Sequence, residues 1–155
     1  MTQVTVGKPI PDFTAPSTQG DINAASLRGR CAVLYFYPKD NTPGCTTEAQ
    51  NFRDRYEDFL NADCEVVGIS RDSLASHESF IKKQNLPYPL ISDPDEALCQ
   101  LFGVMKMKNM YGKQVRGIER STFLIDSQGV LVQEWRGLRV PGHVDEVLQA
   151  AQSVI

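Results

Sequence analysis

The sequence has 155 residues, of which 41% are hydrophobic and 23% are charged, and its formal net charge is -3. A chain of this length and composition ordinarily folds around one core, so residues 1–155 are predicted to form a single domain. The chain has no basic cluster of the kind that binds nucleic acid or an anionic membrane. Its longest apolar run, Ala32–Tyr37, is too short to span a bilayer.

The cellular setting is predicted from the N-terminus and from the cysteines. Met1–Ile10 lacks the charged and apolar regions of a secretory signal, which predicts a cytoplasmic, reducing location. Cys31, Cys45, Cys64 and Cys99 include no Cys-x-x-Cys pair, and both histidines lie far from any cysteine in the chain. The sequence therefore predicts neither a thioredoxin-type dithiol nor a metal site, and no bound cofactor.

The first half of the chain predicts a hairpin, two strands and a helix. Proline and glycine interrupt the N-terminal segment, which is predicted to be a loop with a small hairpin turning near Gln19–Asp21. Ala32–Phe36 is continuously apolar and rich in β-forming residues, a pattern typical of a strand buried on both faces. Apolar residues at helical spacing predict a helix over Cys45–Leu60, and Glu65–Ser70 is predicted to be a second strand.

The middle of the chain predicts a further helix, a short strand and another helix start. A helix capped by Asp72 or Ser73 is expected to run to about Gln84, and Leu90–Ile91 is expected to be a short strand. Asp93–Glu96 has the pattern of a helix start. It offers a capping aspartate, a proline at the first helical position and a glutamate that reaches back to the cap.

The last third of the chain predicts an antiparallel hairpin followed by a helix. Residues 103–119 contain three glycines and several lysines and are predicted to be an exposed excursion. Ser121–Asp126 and Val130–Trp135 predict a hairpin, and the last helix is predicted to start near Gly142. Strands that alternate with helices early, followed by this hairpin, indicate an α/β domain with a mixed sheet, as in thioredoxin-like topology.

The segment that joins the first buried strand to the first helix carries the candidate chemistry. Cys45 falls on the first turn of that helix, where unpaired backbone N–H groups and the helix dipole favour a thiolate. The hydroxyl of Thr42, three residues upstream, can bend back to the sulfur, and Pro38 can shield one side of the pocket from water. A thiolate that attacks the O–O bond of a peroxide needs such donors, because negative charge develops on the leaving oxygen.

The spacing Pro38-x-x-x-Thr42-x-x-Cys45 resembles the active-site signature of the peroxiredoxins. The fuller string over residues 37–49 is similar to the PrxQ branch, also called bacterioferritin comigratory protein. Further matching segments are Gly68–Asp72, Ser76–Phe80, Ser92–Asp95, Asn109–Lys113 and Gly117–Asp126. The resemblance implies a thioredoxin-like fold of the peroxiredoxin variant, with a mixed central sheet flanked by helices.

The same resemblance implies a reaction and a role for each site residue. It implies a thiol-dependent peroxidase that reduces hydrogen peroxide and small organic hydroperoxides to water or alcohols through a Cys45 sulfenic acid. Arg120 matches the catalytic arginine of the family, which stabilises the thiolate and orients the peroxide. Pro38 would shield the pocket, Thr42 would bind the peroxide, and Glu48 matches an acidic position that supports the arginine. Chains of this branch tend to be monomers or weak dimers.

The sequence departs from the branch at the second, resolving cysteine. Relatives often carry it five residues after the peroxidatic cysteine or on the following helix, and these positions are Gln50 and Ile81 here. Cys99 and Cys64 could still take the resolving role, but Cys31, Cys64 and Cys99 are each interpreted as structural cysteines. The sequence therefore predicts a 1-Cys cycle, in which thioredoxin, or glutathione with glutaredoxin, reduces the oxidised sulfur.

Other interpretations of these residues remain open. A lone cysteine at a helix start is often only a small buried hydrophobe, and only its motif raises Arg120 above an ordinary surface arginine. A non-catalytic redox sensor that uses Cys45 oxidation is the alternative function. A holdase-type chaperone is less favoured because the sequence has no long apolar stripe, and a cysteine protease because no histidine is placed beside Cys45. His77 and His143 are predicted to lie on solvent-facing helix surfaces.

Overall fold

The computed structural model describes residues 3–154, apart from the side chain of Met110. In this range the strands are β1 Thr14–Ala15, β2 Ile22–Asn23, β3 Cys31–Phe36, β4 Cys64–Ser70, β5 Leu90–Ser92, β6 Met105–Met110, β7 Lys113–Ile118, β8 Ser121–Ile125 and β9 Leu131–Arg136. The helices are α1 Pro43–Asp54, α2 Tyr56–Asn61, α3 Leu74–Gln84, α4 Ala97–Leu101 and α5 His143–Ser153. Within the described residues, no helix combines the length and the apolar character needed to cross a membrane.

The central sheet has five strands in the order β5-β4-β3-β8-β9. β3 lies in the middle, where it pairs parallel with β4 and antiparallel with β8. The crossover from β3 to β4 contains α1 and α2, as parallel neighbours require a long connection. The sheet is therefore mixed and flanked by helices, which confirms the predicted α/β domain of thioredoxin-like topology.

Two apolar layers cover the two faces of this sheet. All six residues of β3 are buried, and they alternate between the layers. Ala32, Leu34 and Phe36 belong to the layer that also contains α4 and the N-terminal segment. The other residues of β3 face the layer that contains α1, α2, α3 and α5. The apolar run in the sequence is continuous because β3 has no solvent-facing side.

Two of the predicted elements differ from those observed. The single helix predicted over Cys45–Leu60 is wrong, because the backbone leaves the helical region at Arg55 (φ -107°, ψ 4°) and divides it into α1 and α2. The helix predicted from Asp93 begins only at Ala97, because Glu96 adopts a left-handed conformation with φ 64°. Asp93 still caps this helix, since its carboxylate accepts hydrogen bonds from backbone N–H groups in the first turn of α4.

The predicted excursion over residues 103–119 is an antiparallel hairpin formed by β6 and β7. Its chain reverses at Tyr111 and Gly112, both of which have positive φ angles. Most of its side chains are exposed, as predicted, but the lysine-rich composition gave no sign of strand pairing. The two other predicted hairpins, β1 with β2 and β8 with β9, are confirmed.

Gly68 in β4 tests how tightly the sheet packs. A methyl group on Gly68 would lie 2.6 Å from Leu90 Cδ2 and 2.9 Å from Tyr35 Cζ, closer than real carbon contacts allow. We therefore expect Gly68→Ala to lower the free energy of unfolding by about 1–3 kcal/mol through overpacking. Gly117→Ala in β7 is the matched control, because its added methyl group meets open space. Urea denaturation measures both variants, and equal losses would contradict the prediction.

Candidate active site

Cys45 lies at the start of α1, immediately beyond the carboxyl end of β3. Thr42 is the residue before the helix, with an extended backbone (φ -87°, ψ 152°), and Pro43 takes the first helical position, where no N–H group is needed. Cys45 is therefore in the first turn, as the sequence predicted. The residue is only 1% exposed, so the sulfur is shielded from solvent.

Arg120 reaches the sulfur from a distant part of the chain. Its Nη2 atom is 3.4 Å from Cys45 Sγ, although 75 residues separate the two in sequence. The strand register brings them together: Ser121 lies opposite Phe36, so Arg120 sits beside the end of β3. Gly44 leaves room for this approach, since a β-carbon there would be 3.1 Å from Arg120 Nη2. The structure thus brings together two of the predicted site residues.

Glu48 completes a charged group with Arg120 and Cys45. It lies three residues after Cys45 on α1 and accepts a hydrogen bond from Arg120 Nη1 at 2.7 Å. Its side chain is fully buried, and Oε2 has no hydrogen-bond partner among the described residues. The arginine therefore contacts a carboxylate and a sulfur with different nitrogens of one guanidinium group.

Burial governs the protonation of this group. It raises the pKa of Glu48 to about 7, because desolvation of the carboxylate outweighs its attraction to Arg120. Burial alone would lower the pKa of Arg120, but attraction to Glu48 and Cys45 raises it above its ordinary value. Near neutral pH, Arg120 therefore stays positively charged, whereas Glu48 gains or loses its proton.

Thr42 and Pro38 border the same loop, but Thr42 does not act as the sequence suggested. Its hydroxyl donates to the backbone carbonyl of Lys39 at 2.8 Å instead of bending back to the sulfur. It makes no side-chain cap to α1 either. Because its one hydrogen is already used, the hydroxyl can only accept a hydrogen bond from a bound molecule. Pro38 is half-buried at the start of the loop.

The other three cysteines lie away from Cys45. Cys31 and Cys64 begin β3 and β4 and face each other across the strand pair. β3 has six residues, so at roughly 3.3 Å per residue Cys31 lies about 17 Å from the strand's carboxyl end. Cys99 packs in the layer on the opposite face of the sheet. All four cysteines are free thiols and are buried.

Two of the other thiols, Cys64 and Cys99, are held in the protonated form. A hydrogen bond with Cys31, together with burial, raises the pKa of Cys64 well above its ordinary value. Burial, and then the neighbouring Asp93, does the same to Cys99. The two positions where relatives often carry a second cysteine have other partners. Gln50 Nε2 donates to Gln84 Oε1 at 2.7 Å, and Ile81 packs against the apolar layer.

Both histidines are buried, so the prediction that they face solvent is wrong. His143 is hydrogen bonded to the hydroxyl of Thr122 at 2.8 Å, and burial lowers its pKa to about 4. His77 is fully buried and contacts Asp40, a loop residue that the sequence did not single out. One signal was available for His77: it lies three residues before Phe80, and therefore on the buried face of its helix.

Comparison with known proteins decides the family. Residues 6–134 match the AhpC/TSA family. Peroxiredoxin Bcp of Xanthomonas campestris is 48% identical over 156 residues, covering 99% of this chain and 98% of the relative. Peroxiredoxin Bcp of Bacillus subtilis is 44% identical over 152 residues, with 97% of each chain covered. The chain belongs to the AhpC/TSA family and is a peroxiredoxin of the PrxQ, or Bcp, branch.

Solved structures of this branch have the same fold as this peroxiredoxin. Peroxiredoxin Q of Xanthomonas campestris superposes with a TM-score of 0.89 at 46% identity, covering 98% of each chain. A second structure addresses the alkyl peroxide reduction activity of the bacterioferritin comigratory protein of the same organism. It has a TM-score of 0.89 at 45% identity and covers 96% of this peroxiredoxin and 98% of that chain.

The pKa of Glu48 predicts a specific pH dependence of stability. It is about 7 in the folded protein and near 4.5 without the folded environment. Since the folded state holds the proton more tightly, the stability that Glu48 contributes is full at low pH and is lost as the pH rises through about 7. We expect the wild-type protein to lose about 2 kcal/mol relative to Glu48→Gln between roughly pH 5.5 and pH 8.

Urea denaturation of both proteins at the two pH values measures this difference. The titration of His143 is common to both and cancels in the comparison. A pH dependence that is the same in the wild type and in Glu48→Gln would show that Glu48 does not titrate in this range.

Proposed function

We propose that this peroxiredoxin reduces hydrogen peroxide and small organic hydroperoxides to water or alcohols, with Cys45 as the attacking residue. The observation that carries the proposal is the 3.4 Å contact between Arg120 Nη2 and Cys45 Sγ at a helix start. A permanent cation and a helix N-terminus both stabilise the thiolate, which is the nucleophilic form of the residue. The alkyl peroxide reduction activity of the Xanthomonas campestris relative supports organic hydroperoxides as substrates.

In the oxidative step the Cys45 thiolate attacks the terminal peroxide oxygen in line with the O–O bond. The sulfur becomes a sulfenic acid, and the other oxygen leaves as alkoxide or hydroxide and takes up a proton. Arg120 stabilises the charge as it moves from sulfur to the leaving oxygen. Thr42 accepts the hydrogen bond of the terminal hydroxyl, Pro38 limits water, and Glu48 fixes the arginine.

We further propose that the sulfenic acid is reduced by an external thiol in a 1-Cys cycle. The thiol displaces water to give a mixed disulfide on Cys45, and a second thiol releases the enzyme thiol and a disulfide product. Gln50 and Ile81 support this cycle, since neither can form a disulfide. A cytoplasmic location would supply thioredoxin, or glutathione with glutaredoxin, as the reductant.

Substitution of the site residues tests the oxidative step. We expect Cys45→Ser to abolish peroxide consumption, and Arg120→Gln to slow it by about 100- to 1,000-fold, because the developing charge loses its cation. A coupled NADPH assay with thioredoxin or glutaredoxin measures turnover. Cys64→Ser and Cys99→Ser are the matched controls and should retain the wild-type rate. Full activity of Cys45→Ser would contradict the proposal, and stoichiometric oxidation without turnover would support the redox-sensor alternative.

Mass spectrometry tests the 1-Cys cycle. After one equivalent of hydrogen peroxide, we expect the denatured monomer to gain one oxygen, located on the peptide that contains Cys45. A monomer that has instead lost two hydrogens, with Cys45 in the linked peptide, would contradict the cycle. Peptide mapping is essential, because Cys31 and Cys64 face each other and a link between them would give the same mass loss.

A further inference from the structure

A buried network joins the loop before Cys45 to the neighbouring helix. Asp40 lies in this loop, and its side chain is 1% exposed. Its Oδ2 atom is 2.7 Å from Nδ1 of His77 on α3, which is fully buried. Asp40 also accepts hydrogen bonds from the hydroxyls of Tyr37 at 2.6 Å and Ser76 at 2.8 Å. One loop carboxylate is therefore bound by three side chains.

The hydrogen bonds of His77 and Asp40 are those expected of a charged pair. His77 Nε2 lies 2.8 Å from the carbonyl oxygen of Ile91, which can only accept, so Nε2 carries a hydrogen. Burial, and then the carboxylate of Asp40, raise the pKa of Tyr37 far above its ordinary value, so its hydroxyl remains a donor. Asp40 accepts hydrogen bonds from two hydroxyls, the pattern expected of a carboxylate, and beside a carboxylate Nδ1 acts as a donor as well. A ring with two N–H groups is an imidazolium, so these contacts fit a buried ion pair of His77 and Asp40.

A second contact fixes the loop backbone at the same residue. The backbone N–H of Asp40 donates to the carboxylate of Asp72 at 2.9 Å, and Ser70 donates to the same oxygen at 2.5 Å. Ligand-type atoms of Asp40, Asp72 and His77 lie within 4.8 Å of one another, as in a metal site. Here hydrogen bonds already use these atoms, and a metal ion would have to displace the protons of His77. The ion pair accounts for the group without a metal.

The position of Asp40 links this network to the proposed chemistry. It lies midway between Pro38 and Thr42, so whatever holds Asp40 also positions these two residues, which we propose to surround the bound peroxide. Cys45 is only 1% exposed while the loop is in this position. A peroxide is small enough to enter such a pocket, but the sulfur of a protein thiol must contact Cys45 directly, so the loop has to move for reduction.

We propose that His77 is a positioning residue: its ion pair with Asp40 holds the loop closed around Cys45 for attack on peroxide, and release of the pair opens the sulfur to the reducing thiol. The proposal rests on the proposed function of Cys45. It assigns opposite effects to one contact, because the closed loop favours oxidation and hinders reduction.

Two substitutions of His77 separate this role from a purely structural one. The amide nitrogen of asparagine occupies the position of Nδ1, so His77→Asn keeps a donor to Asp40 and loses the bond to Ile91. The amide nitrogen of glutamine occupies the position of Nε2, so His77→Gln keeps the bond to Ile91 and loses the donor to Asp40. Glu78→Gln, on the exposed side of the same helix, is the control.

The test compares two rates, each followed by quenching the reaction and measuring peptide mass. The first is the rate of Cys45 oxidation by hydrogen peroxide. The second is the rate at which oxidised Cys45 forms a mixed disulfide with glutathione. For His77→Gln we expect oxidation to be about 10- to 100-fold slower, because the pocket is misplaced, and mixed-disulfide formation to be faster. For His77→Asn, which keeps a hydrogen bond to Asp40 but loses the positive charge, both rates should change in the same directions and by less than in His77→Gln. Equal changes in the two variants, or no change in His77→Gln, would overturn the proposal.

Nitrogen NMR of His77 gives a readout that does not depend on Cys45. The wild-type ring should show two protonated nitrogens, and Asp40→Asn should show one, since the amide can donate to a neutral ring. A neutral ring in the wild type would overturn the ion pair. If His77→Gln fails to fold, Asp40→Asn replaces it, and an unchanged rate of mixed-disulfide formation in that variant would overturn the proposal. A wild-type Cys45 that does not react with peroxide would instead refute the proposed function.

Discussion

The antiparallel pairing of β3 with β8 is the constraint on which the site depends. Both strands are buried on both faces, so apolar packing fixes their register, and a slip of one residue would exchange the two faces of β8. The observed register sets Ser121 opposite Phe36. Arg120 thereby reaches the end of β3 from which the Cys45 loop departs. The contact between a cation and a sulfur 75 residues apart is a consequence of how the core packs.

Buried charges define the chemistry around this contact. Removing a charge from water is costly unless a partner compensates, and both buried carboxylates near the loop have one. Glu48 is bound by Arg120, and Asp40 is bound by His77. The two pairs differ in their surroundings, because one oxygen of Glu48 has no partner among residues 3–154 while Asp40 accepts three hydrogen bonds. The Glu48 carboxyl therefore titrates near neutrality, whereas three side chains hold the Asp40 carboxyl.

Because of where the other cysteines lie, reduction of an oxidised Cys45 depends on different features of the protein from its oxidation. Cys31 and Cys64 lie at the opposite end of the sheet from Cys45, and Cys99 lies on its other face. No disulfide from Cys45 to any of the three can form without rearrangement of the sheet or its layers. Cys45 is only 1% exposed, so a second protein cannot contact its sulfur in this structure. In the proposed cycle, an external thiol therefore depends on movement of the loop that contains Asp40.

The sequence by itself determined the strands of the sheet, most of the helices and the helix start that carries Cys45, because these depend on the spacing of near neighbours. It also showed that positions 50 and 81 lack cysteine. It did not reveal the break at Arg55, where neither proline nor glycine marks a helix end. Only the tertiary structure decided that Arg120 forms hydrogen bonds to both Glu48 and Cys45, and that burial raises the pKa of Glu48 to about 7. It also decided that His77 is buried and contacts Asp40 in the loop. These properties depend on the charge and solvent exclusion created by residues distant in the chain, which no local pattern records.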